Sequence, residues 1–279
     1  MTTVRAAWAR LRQALQPHSE TAALDAGVAL GRVLGRPRAW VLAHPEARLT
    51  PEQVRQVDVF AARLAQGEPL PYVLGEWEFW GRPFFVSPAV LIPRPETEGL
   101  VERALALAPA PGQAWRVADV GTGSGCLAVT LAAEHPTAVV TAIDRSWAAL
   151  QVARRNAQRH RVAHRVHAVQ ADGLRGVTGP FDLVVANPPY IPRGALSALA
   201  VARYEPRLAL DGGPDGLTWV RAWLRQAATR LAPHGAVLME IGADQGPAAR
   251  ALARQVFPQA HVHIHPDLAG HDRVLEVRL

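Results

Sequence analysis

Arg116-Val117-Ala118-Asp119-Val120-Gly121-Thr122-Gly123-Ser124-Gly125-Cys126 is the stretch whose reading decides the fold. Its first five residues read as a β-strand, and the apolar run from Cys126 to Glu134 reads as a helix. Three glycines lie between them. Glycine permits the tight turn because it lacks a Cβ, and for the same reason it lets a ligand approach the backbone closely. A strand, a glycine turn and a helix in succession open an α/β sheet whose ligands collect at the carboxyl ends of its strands.

The pattern continues outward from this unit. Val139–Asp144, Arg165–Gln170, Phe181–Ala186, Ala236–Ile241, His261–His265 and Val274–Leu279 read as further strands. Trp147–His160, Leu217–Leu231 and Pro247–Gln255 read as helices between them. Alternation of this kind implies a mostly parallel sheet covered on both faces. Before residue 67 the chain reads as helices instead. Val4, Trp8, Leu11 and Leu15 recur at helical spacing. Thr50-Pro51-Glu52-Gln53 has the form of a capping box with proline in the first turn, followed by Val54, Val57, Ala61 and Leu64 on one face. Between Gly67 and Pro95 come short β-prone runs, Tyr72–Gly75, Trp77–Trp80 and Phe84–Val86, which suggest a hairpin or linker.

The spacing of the glycines narrows the ligand. A dinucleotide fingerprint would need glycine at position 126, where the chain has Cys126. The form found, G-x-G-x-G with Asp119 two positions before the first glycine, resembles the cofactor loop of class I methyltransferases. Gly121, Thr122, Gly123, Ser124 and Gly125 are therefore candidate cofactor-binding residues. Asp144 ends the second strand, where a carboxylate can accept both ribose hydroxyls of a nucleoside. Asp172, after the third strand, is placed to receive an adenine amino group, and its backbone neighbour Gly173 to line the same pocket. Cys126 is read as a small packing side chain.

Asn187-Pro188-Pro189-Tyr190 follows the fourth strand of this series. Two prolines remove two backbone donors and leave carbonyl acceptors. Asn187 adds a side-chain carbonyl, so the loop offers acceptors for both hydrogens of a planar –NH₂ group, and Tyr190 can cover its flat face. Amides and exocyclic ring amines both fit this description. Asn187, Pro188 and Tyr190 are the candidate catalytic residues, Pro189 joins them in holding the substrate, and Asn187 can touch the cofactor as well.

Composition sets the outer limits. The 279 residues carry a net charge of +6, and every basic side chain is arginine, because the chain contains no lysine. The excess is spread evenly, three in residues 1–75 and three in the rest, unlike the concentrated stripe of a duplex-DNA binder. One cysteine excludes intrachain disulfides and thiolate clusters. His261, His263 and His265 share a strand face, but no matched carboxylate or cysteine cluster accompanies them, so no metal is expected. No apolar run approaches the roughly 20 residues of a membrane span. The amino terminus lacks a signal-peptide pattern, and a cytoplasmic location is expected.

Four segments together resemble the release-factor glutamine methyltransferases, the HemK/PrmC family. They are Glu68–Gly75, Val90-Leu91-Ile92-Pro93-Arg94-Pro95-Glu96-Thr97-Glu98, the glycine loop, and Asn187–Tyr190. Glu205–Gly213 and Glu240-Ile241-Gly242 are similar to family features too. The resemblance implies a helical substrate-recognition domain (1–75), a hairpin linker (76–96) and a seven-stranded Rossmann-like methyltransferase domain (97–279). It implies S-adenosyl-L-methionine as cofactor and release factors as partners, methylated on the glutamine of a Gly-Gly-Gln motif, with no stable nucleic-acid complex and no membrane. The position after Asp172 often carries a bulky aromatic in this family; here it is Gly173. An adenine-N6 methyltransferase of DNA or RNA is the enzymatic alternative, and a non-catalytic nucleoside-binding module is the other.

Overall fold

The structure is a computed structural model and describes residues 2–110 and 112–279. The chain divides into two units, one ending at Glu76 and the other spanning Trp77–Leu279. Amphipathic helices build the first. Val4, Ala7, Leu11 and Leu15 form the buried face of α1 (Val4–Leu15), which packs with α2 (Ala22–Leu34) and α4 (Pro51–Ala65), while α3 (Arg38–Ala43) packs on α2. The capping box at the start of α4 is complete. Thr50 Oγ1 accepts the Gln53 N–H at 3.2 Å, and Gln53 Oε1 accepts the Thr50 N–H at 2.9 Å.

Tyr72–Gly75, expected as a β-prone run, is instead the end and the cap of a short helix, α5 (Leu70–Leu74). Two local features override strand propensity here. Pro71 sits in the first turn, where proline is preorganised for a helix, and Gly75 closes it in a left-handed conformation at φ 74°.

The division falls at the first residue of a hairpin, β1 (Glu76–Phe79) and β2 (Arg82–Phe85), turned by Trp80 and Gly81, both at positive φ. A 3₁₀ turn at Pro95–Thr97 leads into α6 (Glu98–Ala106). Then follow β3 (Trp115–Val120), α7 (Cys126–Glu134), β4 (Ala138–Asp144), α8 (Trp147–Arg159), β5 (Val166–Gln170) and β6 (Phe181–Ala186). Short 3₁₀ turns cross Arg193–Ala209 before α9 (Thr218–Ala227), β7 (Leu231–Glu240), α10 (Gly246–Val256), β8 (His261–Pro266) and β9 (Asp272–Arg278). The helix expected over Leu217–Leu231 ends at Ala227. Leu231 already pairs with Phe181 in the sheet, and a register shift lets β7 reach its regular pairing at Ala236.

These seven strands form one sheet in the order β5-β4-β3-β6-β7-β9-β8, parallel except for β9, which runs antiparallel to both neighbours. Alternate residues face opposite helical layers. Val117, Val140, Leu183 and Leu238 pack with Leu100, Leu127 and Leu131. Val120, Val184, Val237 and Met239 pack with Val220, Leu224, Ala249 and Ala253. Strand order reverses between β3 and β6, so a crevice opens at their carboxyl ends. Pairing of Ile143 with Val120, Val120 with Ala186 and Ala186 with Met239 aligns the next residues, Asp144, Gly121, Asn187 and Glu240, along that edge.

Candidate active site

A cavity occupies this crevice. Gly121, Thr122, Gly123, Ser124, Asp144, Asp172, Gly173, Asn187 and Pro189 line it, as do Thr97, Trp219 and Trp223. Of the residues singled out in the sequence, Gly125, Pro188 and Tyr190 are not part of its lining. Gly125 meets a different demand. At φ 79° its Cβ position lies 3.0 Å from Ala153 Cβ, so glycine here lets α7 and α8 approach.

The glycine loop is held from within. Gly121 and Thr122 N–H groups both donate to Ile143 O at 2.8 Å, Gly123 N–H donates to Asp144 Oδ2 at 3.0 Å, and Gly125 N–H donates to Thr122 O at 2.8 Å. Four donors are thereby used, which leaves a poor cradle for a pyrophosphate and suits a ligand without one. The space that a Cβ on Gly123 would take is open, with only Gly121 O as near as 3.9 Å. Asn156, fully buried on α8, donates through Nδ2 to Ser124 O at 2.8 Å and Phe85 O at 2.9 Å, tying the loop to the hairpin.

Asp144 accepts from Gly123 N–H and, at 2.8 Å, from Ser146 N–H. Burial raises its pKa despite these bonds. A carboxylate has about four lone-pair directions, so it retains acceptor capacity for a diol. Glycine at 173 is explained by the helix opposite. Its φ is 63°, and a Cβ there would lie 2.8 Å from Trp223 Nε1 and 2.2 Å from Gln226 Oε1. Across the indole, Trp223 Cη2 lies 3.0 Å from the Cβ position of Gly121. Trp223 thus occupies the volume that a side chain at 173 would need. Periodicity gave no hint of this, because a tryptophan on a helix reads first as core.

Asn187 ends the other half of the crevice. Its Nδ2 donates to Thr97 Oγ1 at 2.9 Å, and the Thr97 hydroxyl donates to Glu240 Oε2 at 2.7 Å. Thr97 is 2% exposed and Glu240 fully buried. Desolvation pushes the Glu240 carboxyl up to about 7, against the Thr97 bond and the Arg273 charge, which lower it. Burial likewise pushes the Tyr190 phenol up to about 12, and this hydroxyl faces Glu240. Thr97 and Glu240 both stand in segments singled out for family likeness, yet nothing in the sequence assigned them a task. Arg94, from the segment that carries Thr97, forms an ion pair with Glu205 of another such segment, and Glu205 also accepts Ile92 N–H at 3.2 Å.

The expected face of His261, His263 and His265 forms a separate cleft with Arg103, Glu276 and Arg278. His265 Nε2 bonds Glu276 at 2.8 Å. Among the described residues no group of three His, Cys, Asp or Glu is placed to hold a metal.

Comparison with known proteins agrees with this architecture. A family model described as PrmC N-terminal domain matches residues 6–75, and one described as Methyltransferase small domain matches residues 102–203. The release factor glutamine methyltransferase of Moorella thermoacetica is 46% identical over 252 residues, covering 90% of this chain and 89% of that one. The chain belongs to the release factor glutamine methyltransferase family. The member from Bradyrhizobium diazoefficiens is 42% identical over 277 residues, covering 97% of this chain and 91% of its own. A solved methyltransferase from Pyrococcus furiosus shares the fold, with a TM-score of 0.52 at 17% identity over 82% of this chain and 98% of that one. As a member of that family the chain is an S-adenosylmethionine-dependent methyltransferase, and among the described residues no helix is long and apolar enough to cross a membrane.

Proposed function

We propose that this protein transfers a methyl group from S-adenosyl-L-methionine to the side-chain amide nitrogen of the glutamine in the Gly-Gly-Gln motif of peptide-chain release factors, giving N5-methylglutamine. The observation that carries the reading is Asn187 at the edge of the cofactor crevice with its Nδ2 already engaged by Thr97, which leaves Oδ1 as an acceptor.

The cavity fits the cofactor. Asp144 is an acceptor-only group for the ribose hydroxyls, Gly121 to Ser124 allow close approach, and Trp219 and Trp223 wall the side bearing Asp172 and Gly173, where adenine would lie. Gly125 serves this pocket by setting the loop's helix packing. When bound, the cofactor supplies an electrophilic sulfonium methyl, so positioning accounts for much of the acceleration.

An amide nitrogen is a weak nucleophile because its lone pair is delocalised. Asn187 Oδ1 and the Pro188 carbonyl accept its two N–H groups, raise its electron density and aim it. They also stabilise positive charge as the nitrogen gains a methyl, before it releases one proton. Pro189 keeps the loop free of competing donors at its position. Tyr190 contributes a phenol that burial keeps neutral.

Release factors are soluble translation partners, so we place the enzyme in the cytoplasm, with no stable nucleic-acid complex. A competition assay tests the substrate. Labelled cofactor is offered with equal amounts of release factor and adenine-containing DNA and RNA. Label on the release factor alone is expected; label on nucleic acid alone overturns the assignment.

A further inference from the structure

A carboxamide has chemically opposite ends of nearly equal shape, an acceptor Oδ1 and a donor Nδ2. Only Oδ1 can receive an N–H from a substrate amide, so steric fit alone does not select the working orientation of Asn187. What lies behind it does. Thr97 Oγ1 stands between Asn187 Nδ2, at 2.9 Å, and Glu240 Oε2, at 2.7 Å, in a region closed to solvent. A hydroxyl has one proton to give. An ionised carboxylate only accepts, so it takes that proton, and Thr97 then has only lone pairs to offer Asn187. If the carboxamide flipped, Oδ1 would oppose Oγ1 with no proton between them, leaving two buried acceptors facing each other.

We infer that Thr97 and Glu240 are positioning residues, a two-bond relay that fixes the donor–acceptor polarity of Asn187 so that Oδ1 is the end shown to the substrate. The fold builds the relay from distant segments. Asn187 and Glu240 each follow the last paired residues of adjacent parallel strands, Ala186 and Met239, and therefore project to the same side of the sheet. The 3₁₀ turn Pro95–Thr97 delivers the hydroxyl to that side, where α6 packs. What Asn187 holds rests on the methyl-transfer reading; its orientation does not.

The sequence makes the orientation measurable, because it contains two asparagines, Asn156 and Asn187. Selective ¹⁵N-asparagine labelling of the full chain thus yields two side-chain amide groups, with Asn156 as an internal reference. Thr97→Val should shift the Asn187 amide protons and abolish their protection from exchange while leaving those of Asn156 in place. In parallel, its single-turnover methyl transfer to release factor should fall about 30-fold or more, with cofactor affinity changed less than about threefold. Thr97→Ser should restore most of that rate.

A second pair of variants tests polarity directly and does not depend on how Thr97→Val folds. Asn187→Asp places two carboxylates on one hydroxyl. Adding Glu240→Gln removes that charge repulsion, supplies a donor at the far end and reverses the relay, so that Thr97 donates to one Asp oxygen while the other stays an acceptor in the cavity. The double variant should therefore be about tenfold faster than Asn187→Asp alone. An unmoved Asn187 amide in Thr97→Val, or a double variant no faster than the single, overturns the relay. If the amide shifts as expected but the wild type methylates no release factor, the relay stands and the substrate assignment fails.

Discussion

The two halves of the crevice solve different problems with different materials. On the side we assign to the cofactor, the structure offers one contiguous loop, Gly121–Gly125, four of whose amides are spent on its own scaffold, plus the single carboxylate of Asp144 one strand away. On the side we assign to the substrate, Asn187, Thr97 and Glu240 come from three remote segments and depend on one another through buried hydrogen bonds. The first half is a surface that a ligand can lie against. The second is a polarity device, in which a buried acid two bonds away decides which end of an amide faces outward. Binding and chemistry should accordingly be separable by mutation.

The largest expected effect separates them most sharply. Asn187→Ala should lower single-turnover transfer by about 100- to 1,000-fold, the scale seen when one preorganised polar contact to developing charge is removed. Calorimetry should find its cofactor affinity little changed. Asp144→Ala should do the reverse, weakening cofactor binding about 10- to 100-fold through loss of charged hydrogen bonds, with much of the rate recovered at saturating cofactor. Equal losses of both properties in both variants would dissolve the distinction between the halves.

A third variant probes the wall opposite the glycine loop. Gly173→Ala puts a Cβ at φ 63° against Trp223 and Gln226, and chemical denaturation should show a loss of about 1–3 kcal/mol. Wild-type stability would mean that Trp223 does not claim that space.

The mildest effect is on pH. Glu240 is faced by Thr97, Tyr190, Arg273 and Glu96, and its charge is also felt by Cys126. Burial pushes its carboxyl up to about 7. Below that value it carries a proton and can donate to Thr97, freeing the Thr97 proton for Asn187 Oδ1. Single-turnover rate should therefore rise with pH through about 7, and Glu240→Gln should remove that limb. The stability sign is opposite. A carboxyl whose folded pKa is raised contributes stability at low pH that is lost as pH rises through about 7, and Asp119, also raised to about 7 by burial, acts in the same direction.

This contrast also explains what could be read from the amino-acid sequence. The sheet was legible because strand–helix alternation is local and regular. The glycine loop and Asp144 were legible because the former is contiguous and the latter ends the next strand. Thr97 and Glu240 were hidden, since 90 residues separate Thr97 from Asn187 and 143 separate it from Glu240. Their roles exist only in the paired register of two strands and a turn laid over them. The helix at Leu70–Leu74 was missed for the opposite reason. Tyr72 and Val73 favour strand, and the proline and glycine at its ends decided otherwise. Trp223 was invisible until Gly121 and Gly173 were seen on either side of its ring.

The most direct test is to map the product. The wild-type enzyme and Asn187→Ala are incubated with isotopically labelled S-adenosylmethionine and full-length release factor, and peptides are sequenced by mass spectrometry. A single labelled methyl on the side-chain nitrogen of the Gly-Gly-Gln glutamine, made by the wild type and nearly absent with Asn187→Ala, is the expected result. A methyl on another residue, or equal labelling by both proteins, would contradict the assignment of Asn187 as the group that holds the glutamine amide.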